Sequence, residues 1–264
     1  MNPTRIKAIV MRHLYLYKGR SLPRFLDIFF WPVITLLTWG FLSVYLQQGN
    51  LSNVNFVSVI LGAVIFWEIT QRAQQSISIY FLEDVWERNF LNIFVTPLTT
   101  LEFFVASLIL GFIRILIIAF VMFVLSFLLY HYSIFALGFA FIPYAANLFL
   151  FGVVIAIFIN SIILRFGTSA QVLAFGLIFI IQPISAIFYP LSSLPFWIHP
   201  FSLVLPTTHI FEAMRSTLMT GQIDTLHLIS ASILNILYLL LAWDFWNRMF
   251  KSVKEKGLLI KVQN

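Results

Sequence analysis

Six stretches of this chain are each long and apolar enough to cross a lipid bilayer, and no other feature limits the possible folds so strongly. They run Phe25–Leu46, Phe56–Leu82, Phe103–Leu129, Ile134–Leu164, Val172–Phe188 and Leu228–Trp246. A crossing helix needs about 20 mostly apolar residues, because hydrocarbon satisfies no backbone hydrogen bond and the segment must pair its own. The second and fourth stretches are longer than needed and are expected to tilt or project into the interface. A further apolar stretch, Tyr189–Phe211, carries Pro190, Pro195, Pro200 and Pro206. Four prolines exclude one regular helix, so it reads as two short helices that dip into the outer leaflet and return. Hydrophobic residues make up 61% of the chain and charged ones 10%, where soluble domains hold roughly 45–50% and about 25%. A soluble particle of 264 residues has no interior large enough for that surface, and the same figures exclude disorder, collagen and coiled coil.

Charge placement supports the count. Residues 1–24 hold Arg5, Lys7, Arg12, Lys18, Arg20 and Arg24 and no acid. The segment after Trp246 holds Arg248, Lys251, Lys254, Lys256 and Lys261 against Glu255. With Arg88 and Arg165, 13 of the 16 Lys and Arg fall on one side. The other side has Arg215, while Arg72 and Arg114 lie within spans. The excess of basic residues on cytoplasmic loops then puts both termini in the cytoplasm, which requires an even number of crossings. The net charge of +6 is therefore topology and no footprint of nucleic acid. The organisation expected is a single unit: a surface helix over 1–24, a six-helix bundle over 25–246 and a basic tail over 247–264.

The first segment is too long in its charged part, and lacks a small-residue cleavage site, to be read as a cleaved signal. At 100° per residue, Ile6, Ile9, Val10, His13, Leu14, Leu16 and Tyr17 share one arc while Arg5, Lys7, Arg12 and Lys18 take the other. That pattern fits a basic amphipathic helix lying on the inner membrane surface; a plain basic topogenic tail is the alternative.

Catalysis has little support. The chain has no Cys, hence no thiol nucleophile or thiolate metal site. It has no G-x-x-x-x-G-K-[ST] phosphate loop. His209 and Glu212 have the i, i+3 spacing of some metal ligands but no second matched pair, so ordinary interfacial histidines are the simpler account and no metal or cofactor is expected. Charges inside spans say more, because each is costly unless paired or functional. Glu68 and Arg72 stand four apart with the acid first, the favourable helical order. They form a structural ion pair or line a polar path. Arg114 has no acid at helical spacing; its partner is Glu68, Asp27 or an anionic group of a substrate. Asp27 itself lies one turn from Arg24.

The connection after the second span reads Glu83-Asp84-Val85-Trp86-Glu87-Arg88-Asn89-Phe90-Leu91-Asn92 and carries a net −2 from Glu83 to Arg88 on an otherwise basic face. Val85, Trp86, Asn89 and Phe90 fall on one side of a helix that Thr96-Pro97 stops. An acidic, aromatic-bearing helix here suits docking of a soluble partner; a solvated interfacial loop is the alternative.

At this point the chain resembles a known family. The run ERNFLNIFVTPLTTLEFF is similar to the cytoplasmic coupling segment of ABC-2 type transporter permeases. ISAIFYPLSSLPFWIHPFSLVLPTTHIFEAMR resembles the signature before their last span. The resemblance covers essentially the whole chain. It implies an all-α integral membrane protein with six transmembrane helices, an amphipathic interfacial helix first and short re-entrant outer helices before the last span. It also implies a homodimer in the bacterial cytoplasmic membrane, bound to separate ATPase subunits that carry the ATP and Mg. Glu83, Asp84, Trp86, Glu87, Arg88 and Asn89 would belong to the coupling helix, Glu83–Asn92. Tyr189, Pro190, Pro195, Pro200 and Pro206 would form the outer gate, with Glu68, Arg72 and Arg114 on the translocation path. The Phe-rich composition is closer to drug and glycolipid exporters than to polysaccharide exporters, so an amphiphilic or glycan/lipid-type substrate is expected. The alternative is an ion-driven secondary transporter, whose kind often shows paired broken spans at mid-membrane where this chain has one broken segment at the outer face; a membrane enzyme on lipid-linked sugars is less favoured, for want of clustered acids or histidines.

Overall fold

The computed structural model describes residues 1–19, 21–49, 55–87 and 89–256. Arg20, Arg88 and Lys261 lie outside the described residues, as do the side chains of Leu16, Tyr17, Lys18, Arg24 and Asp27. All regular structure among the described residues is helical. In chain order the α-helices are α1 Pro3–Gly19, α2 Ser21–Gln48, α3 Phe56–Trp86, α4 Phe90–Val95, α5 Thr100–Tyr130, α6 Phe141–Phe166, α7 Val172–Ile184, α8 His199–Leu203, α9 Pro206–Thr220 and α10 Thr225–Glu255.

Among the described residues five helices are long and apolar enough to cross a membrane, with windows in α2, α3, α5, α6 and α10. The fifth expected span, Val172–Phe188, is a different object. Its helix α7 has 13 residues, carries Pro183 and ends at Ile184. At about 1.5 Å per residue that is about 20 Å, short of the ~30 Å hydrocarbon core. The fourth span also starts later than expected. Residues Ile134–Ala140 form a 3-10 turn broken at Gly138, where φ is 54°, a backbone that suits glycine. The last span and the described start of the expected basic tail are one helix, because α10 runs unbroken to Glu255.

α3 is the central helix, buried along most of its length and packed by α2, α5, α6 and α7. Small residues permit this. A methyl group on Gly152 of α6 would stand 2.5 Å from the Thr70 carbonyl oxygen and 2.7 Å from Ala73 Cβ, so glycine lets the two backbones touch, as in other membrane helix pairs. Asn55 caps α3 by accepting the Ser58 N–H at 3.0 Å. Thr99 and Glu102 form a reciprocal capping box at the start of α5, the S/T-x-x-E pattern legible in TTLE.

Side-chain contacts orient the bundle. Trp86 at the end of α3 donates to Gln171 at the start of α7 (3.0 Å), and Arg165 at the end of α6 lies beside Met249 of α10. These, with α1 and the start of α5, mark a basic end. At the other end Tyr144 of α6 pairs with Thr217 of α9 at 2.8 Å and accepts the Asp224 N–H before α10.

Candidate functional site

Between α2, α3 and α7 lies a cavity of about 580 Å³. Each helix contributes one stripe at helical spacing: Trp31, Thr35 and Trp39 from α2, Phe175, Phe179 and Gln182 from α7. The α3 stripe is the polar one, with Trp67 and Glu68, then Gln71 and Arg72, then Gln75. Glu68 and Arg72 are each 3% exposed. Arg72 Nε donates to Glu68 Oε2 at 2.8 Å and its Nη1 donates to Gln75 Oε1 at 3.2 Å. The pair therefore neutralises itself within one helix turn and presents hydrogen-bonding edges to the cavity. Phe188, just beyond α7, stacks on Trp39 with centroids 3.9 Å apart and planes 15° from parallel. Arg114 is buried on α5 and is not part of this lining; its neighbours Ile115 and Ile118 pack on the other side of Glu68 and Arg72. Sequence reasoning named the ion pair but missed the aromatic and amide walls. The spacing Trp31–Thr35–Trp39 was the available signal.

At the basic end the expected coupling helix Glu83–Asn92 is not one helix. Glu83, Asp84 and Trp86 form the last turn of α3, Glu87 caps it, and the chain restarts at Asn89 as the six-residue α4. Within that last turn Asp84 is fully buried and accepts a hydrogen bond from Arg12 of α1. Asp84 is thus an internal clip, while Trp86 and Glu87 remain exposed and Asn89 is half-buried. A second clip joins α1 to α5. Glu102, besides its capping box, accepts the Asn2 N–H at 2.7 Å and lies 3.7 Å from Arg5, whose guanidinium donates to the Pro97 carbonyl. Between α1 and α4 these clips leave a groove of about 380 Å³, lined by Ile9, Ile93 and Leu98 and edged by Arg5, Arg12, Asn89 and Asn92. Ile9 and His13 turn inward, whereas Leu14 and Tyr15 are exposed.

The proline-rich segment is tied to the end of α7. Ser202 Oγ donates to the Ile184 carbonyl at 2.7 Å and Thr207 Oγ1 donates to Ser185 Oγ at 2.8 Å. Tyr189 hydroxyl donates to the Pro183 carbonyl. Pro190 and Pro195 precede 3-10 turns, Pro200 lies in the first turn of α8, and Pro206 starts α9. Glu212 accepts the Leu191 N–H (2.6 Å) and pairs with Arg215 (2.8 Å), which also donates to the Ile187 carbonyl. His209 instead hydrogen-bonds the Leu203 carbonyl; among the described residues no three His, Asp or Glu side chains are placed to hold a metal ion. Asp224 caps α10 through the His227 N–H (3.1 Å) and ring (3.0 Å). Burial works against its charge, but the His227 hydrogen bonds outweigh it and hold the carboxyl below its ordinary range.

A family model described as ABC-2 type transporter matches residues 4–219. No curated protein matches the chain at a significant level.

Proposed function

The chain belongs to the ABC-2 type transporter family, and from that premise we propose that it is the permease subunit of an ATP-driven exporter. It is a multi-pass membrane protein of a transport family that generally works with an ABC ATPase partner. The observation that carries the finer reading is the clipped basic end. Two long-range contacts, Arg12 to Asp84 and Arg5 with Asn2 to Glu102, join α1, the end of α3 and the start of α5. A partner pressing on α4, Trp86 and Glu87 would move three elements together, and rigid helices carry such motion to the bundle.

In this reading ATP and Mg bind the separate ATPase subunit and the present chain supplies no cofactor site. The basic end faces the cytoplasm of a bacterial cell, with both termini there. α7 and the segment hydrogen-bonded to its end complete a sixth crossing in two pieces, and the prolines hold the outer gate. Two copies of the chain would face each other to enclose the path, with lipid around them. Glu68 and Arg72 line it; Arg114, buried behind, would act through the helices it packs between. The substrate is an amphiphilic or glycan/lipid-type molecule, released outward because substrate and nucleotide favour different states.

Copurification tests this. The tagged chain should bring down a phosphate-loop ATPase, and the complex should hydrolyse ATP in a vanadate-sensitive manner. Glu87→Lys should leave the membrane protein folded and abundant while lowering ATPase recovery or stimulation about tenfold. An ion gradient that drives transport without any ATPase would overturn the reading.

A further inference from the structure

We propose that the groove between α6, α7 and α10 holds an acyl chain of an anionic phospholipid, whose phosphate sits against Arg165. This goes beyond the transport reading, because the lipid is a bound component of the protein and not its cargo. The groove has a volume of about 550 Å³. Phe151 and Phe158 of α6, Leu177 and Ile181 of α7, and Leu241 and Phe245 of α10 line it.

The walls select hydrocarbon. Among the described residues that line the groove, the one polar side-chain atom is the Tyr238 hydroxyl, which already donates to the Val204 carbonyl at 2.8 Å. A polar ligand would lose its hydration there without replacement, whereas an alkyl chain loses nothing. The same hydrogen bond ties α10 to the segment between α8 and α9, and Leu205 of that segment also lines the groove. That end is therefore walled by protein.

The other end leads to cations. On α6 the stripe Phe151, Ile155, Phe158 continues at helical spacing through Ile162 to Arg165, and on α10 Tyr238, Leu241, Phe245 continues to Arg248. The two stripes stay side by side. Phe158 and Phe245 stack with centroids 5.2 Å apart, and beyond them Arg165 Nη1 lies 4.0 Å from Met249 Sδ. Arg165 is exposed, and its contacts are that sulfur and the Phe166 ring. No described carboxylate pairs with it; the acid whose side chain is not described, Asp27, is on α2, which packs on α3 and α5. Arg248 is paired with Asp244 at 2.8 Å, but both side chains are largely exposed, and a surface pair of this kind holds weakly. Counting Arg165 with Asp244–Lys256 of α10, five cations stand against two acids, a local net of +3.

Lipid tails are as apolar as these walls, so burial of the chain confers no preference of its own. The choice of headgroup falls to the charge, and basic clusters beside transmembrane helices attract anionic lipids. Length agrees. Arg165 stands about 21 Å from Phe151 along α6 at 1.5 Å per residue, and half of the ~30 Å hydrocarbon core is about 15 Å. A chain from one leaflet therefore reaches well into the groove while its phosphate stays at the surface. The helix α7 separates this groove from the polar cavity, with Leu177 and Ile181 toward the groove and Phe175, Phe179 and Gln182 toward the cavity. A bound chain thus backs the short helix that walls the cavity.

The test uses the full chain in phosphatidylcholine nanodiscs that hold a trace of photoreactive lipid, either phosphatidylglycerol or phosphatidylcholine. Both probes carry the same diazirine-bearing acyl chain, and labelled peptides are mapped by mass spectrometry. Phosphatidylglycerol should label α6 between Phe151 and Phe158, or α10 between Tyr238 and Phe245, at least about fivefold more than phosphatidylcholine does. Arg165→Gln with Arg248→Gln should bring the two probes to equal labelling. Arg165→Lys with Arg248→Lys keeps the charge and should keep the preference. Both arginines are exposed, so all four substitutions should leave the melting temperature unchanged. Excess inorganic phosphate, at ionic strength matched with chloride, should not compete; competition would assign the arginines to a free anion and overturn the lipid. Equal labelling of the unaltered chain by both probes, or adducts outside the groove, overturns the proposal. So does an unlabelled groove, the result expected if a second copy of the chain covers it. No ATPase is present in this measurement, so its failure leaves the transport reading standing, and failure of that reading leaves this result unchanged.

Discussion

Two arginine–carboxylate pairs of this chain have the same chemistry and connect different things. Arg72 and Glu68 are four residues apart on one helix and join nothing that the helix had not already joined. Arg12 and Asp84 are 72 residues apart and hold α1 against the end of α3. A buried pair within one helix is weak evidence for stability, because desolvation offsets the attraction and apolar replacements often serve as well. The Glu68–Arg72 pair faces a cavity, so its value lies in the polar surface it presents there. The Arg12–Asp84 pair closes a long loop between separate elements, and removing one partner leaves a charge stranded in the interior. One pair lines a cavity and the other ties the frame together.

The sharpest way to break this contrast is to truncate each pair. Arg12→Ala strands the fully buried Asp84 and should cost about 3–5 kcal/mol, read as lost thermal stability and lost yield of monodisperse protein. Arg12→Ala with Asp84→Leu should recover part of that loss. The double variant Glu68→Gln, Arg72→Gln should behave in the opposite way. Its stability should stay within about 1 kcal/mol of the parent, while transport falls at least about tenfold. A stability loss as large as that of Arg12→Ala would erase the distinction between the two pairs. The smallest expected effect sharpens it at the far end of the bundle. Asp224 is held below its ordinary value, so its contribution is complete above about pH 4 and is lost as pH falls through the lowered value. Thermal melts between pH 7 and pH 3 should therefore show a slight acid destabilisation that Asp224→Asn removes.

The same contrast explains what was legible beforehand. The five helices among the described residues that are long and apolar enough to cross could be read directly, since about 20 apolar residues in lipid have few alternatives to a helix. α7 could not, because Val172–Phe188 has the composition of a span while Pro183 and the following hydrogen bonds end its helix at Ile184. Asp84 was read as surface charge because its sequence neighbours are charged; its burial depends on Arg12, which no local pattern reveals. Glu68 and Arg72 were found because a charge within a span is conspicuous. Trp31, Trp39, Phe175 and Phe188 were missed because an aromatic in a span looks like ordinary lipid-facing surface until three helices bring the rings together. Arg114 was conspicuous for the same reason as Glu68, yet burial on α5 sets it outside the cavity lining.

The most direct test of the transporter reading is accumulation of a labelled amphiphile in inside-out vesicles containing this chain and its ATPase. ATP should drive uptake, vanadate should stop it, and the Glu68→Gln, Arg72→Gln variant should abolish it at undiminished protein level. Uptake that persists without ATP, or that the double variant leaves unchanged, would contradict it.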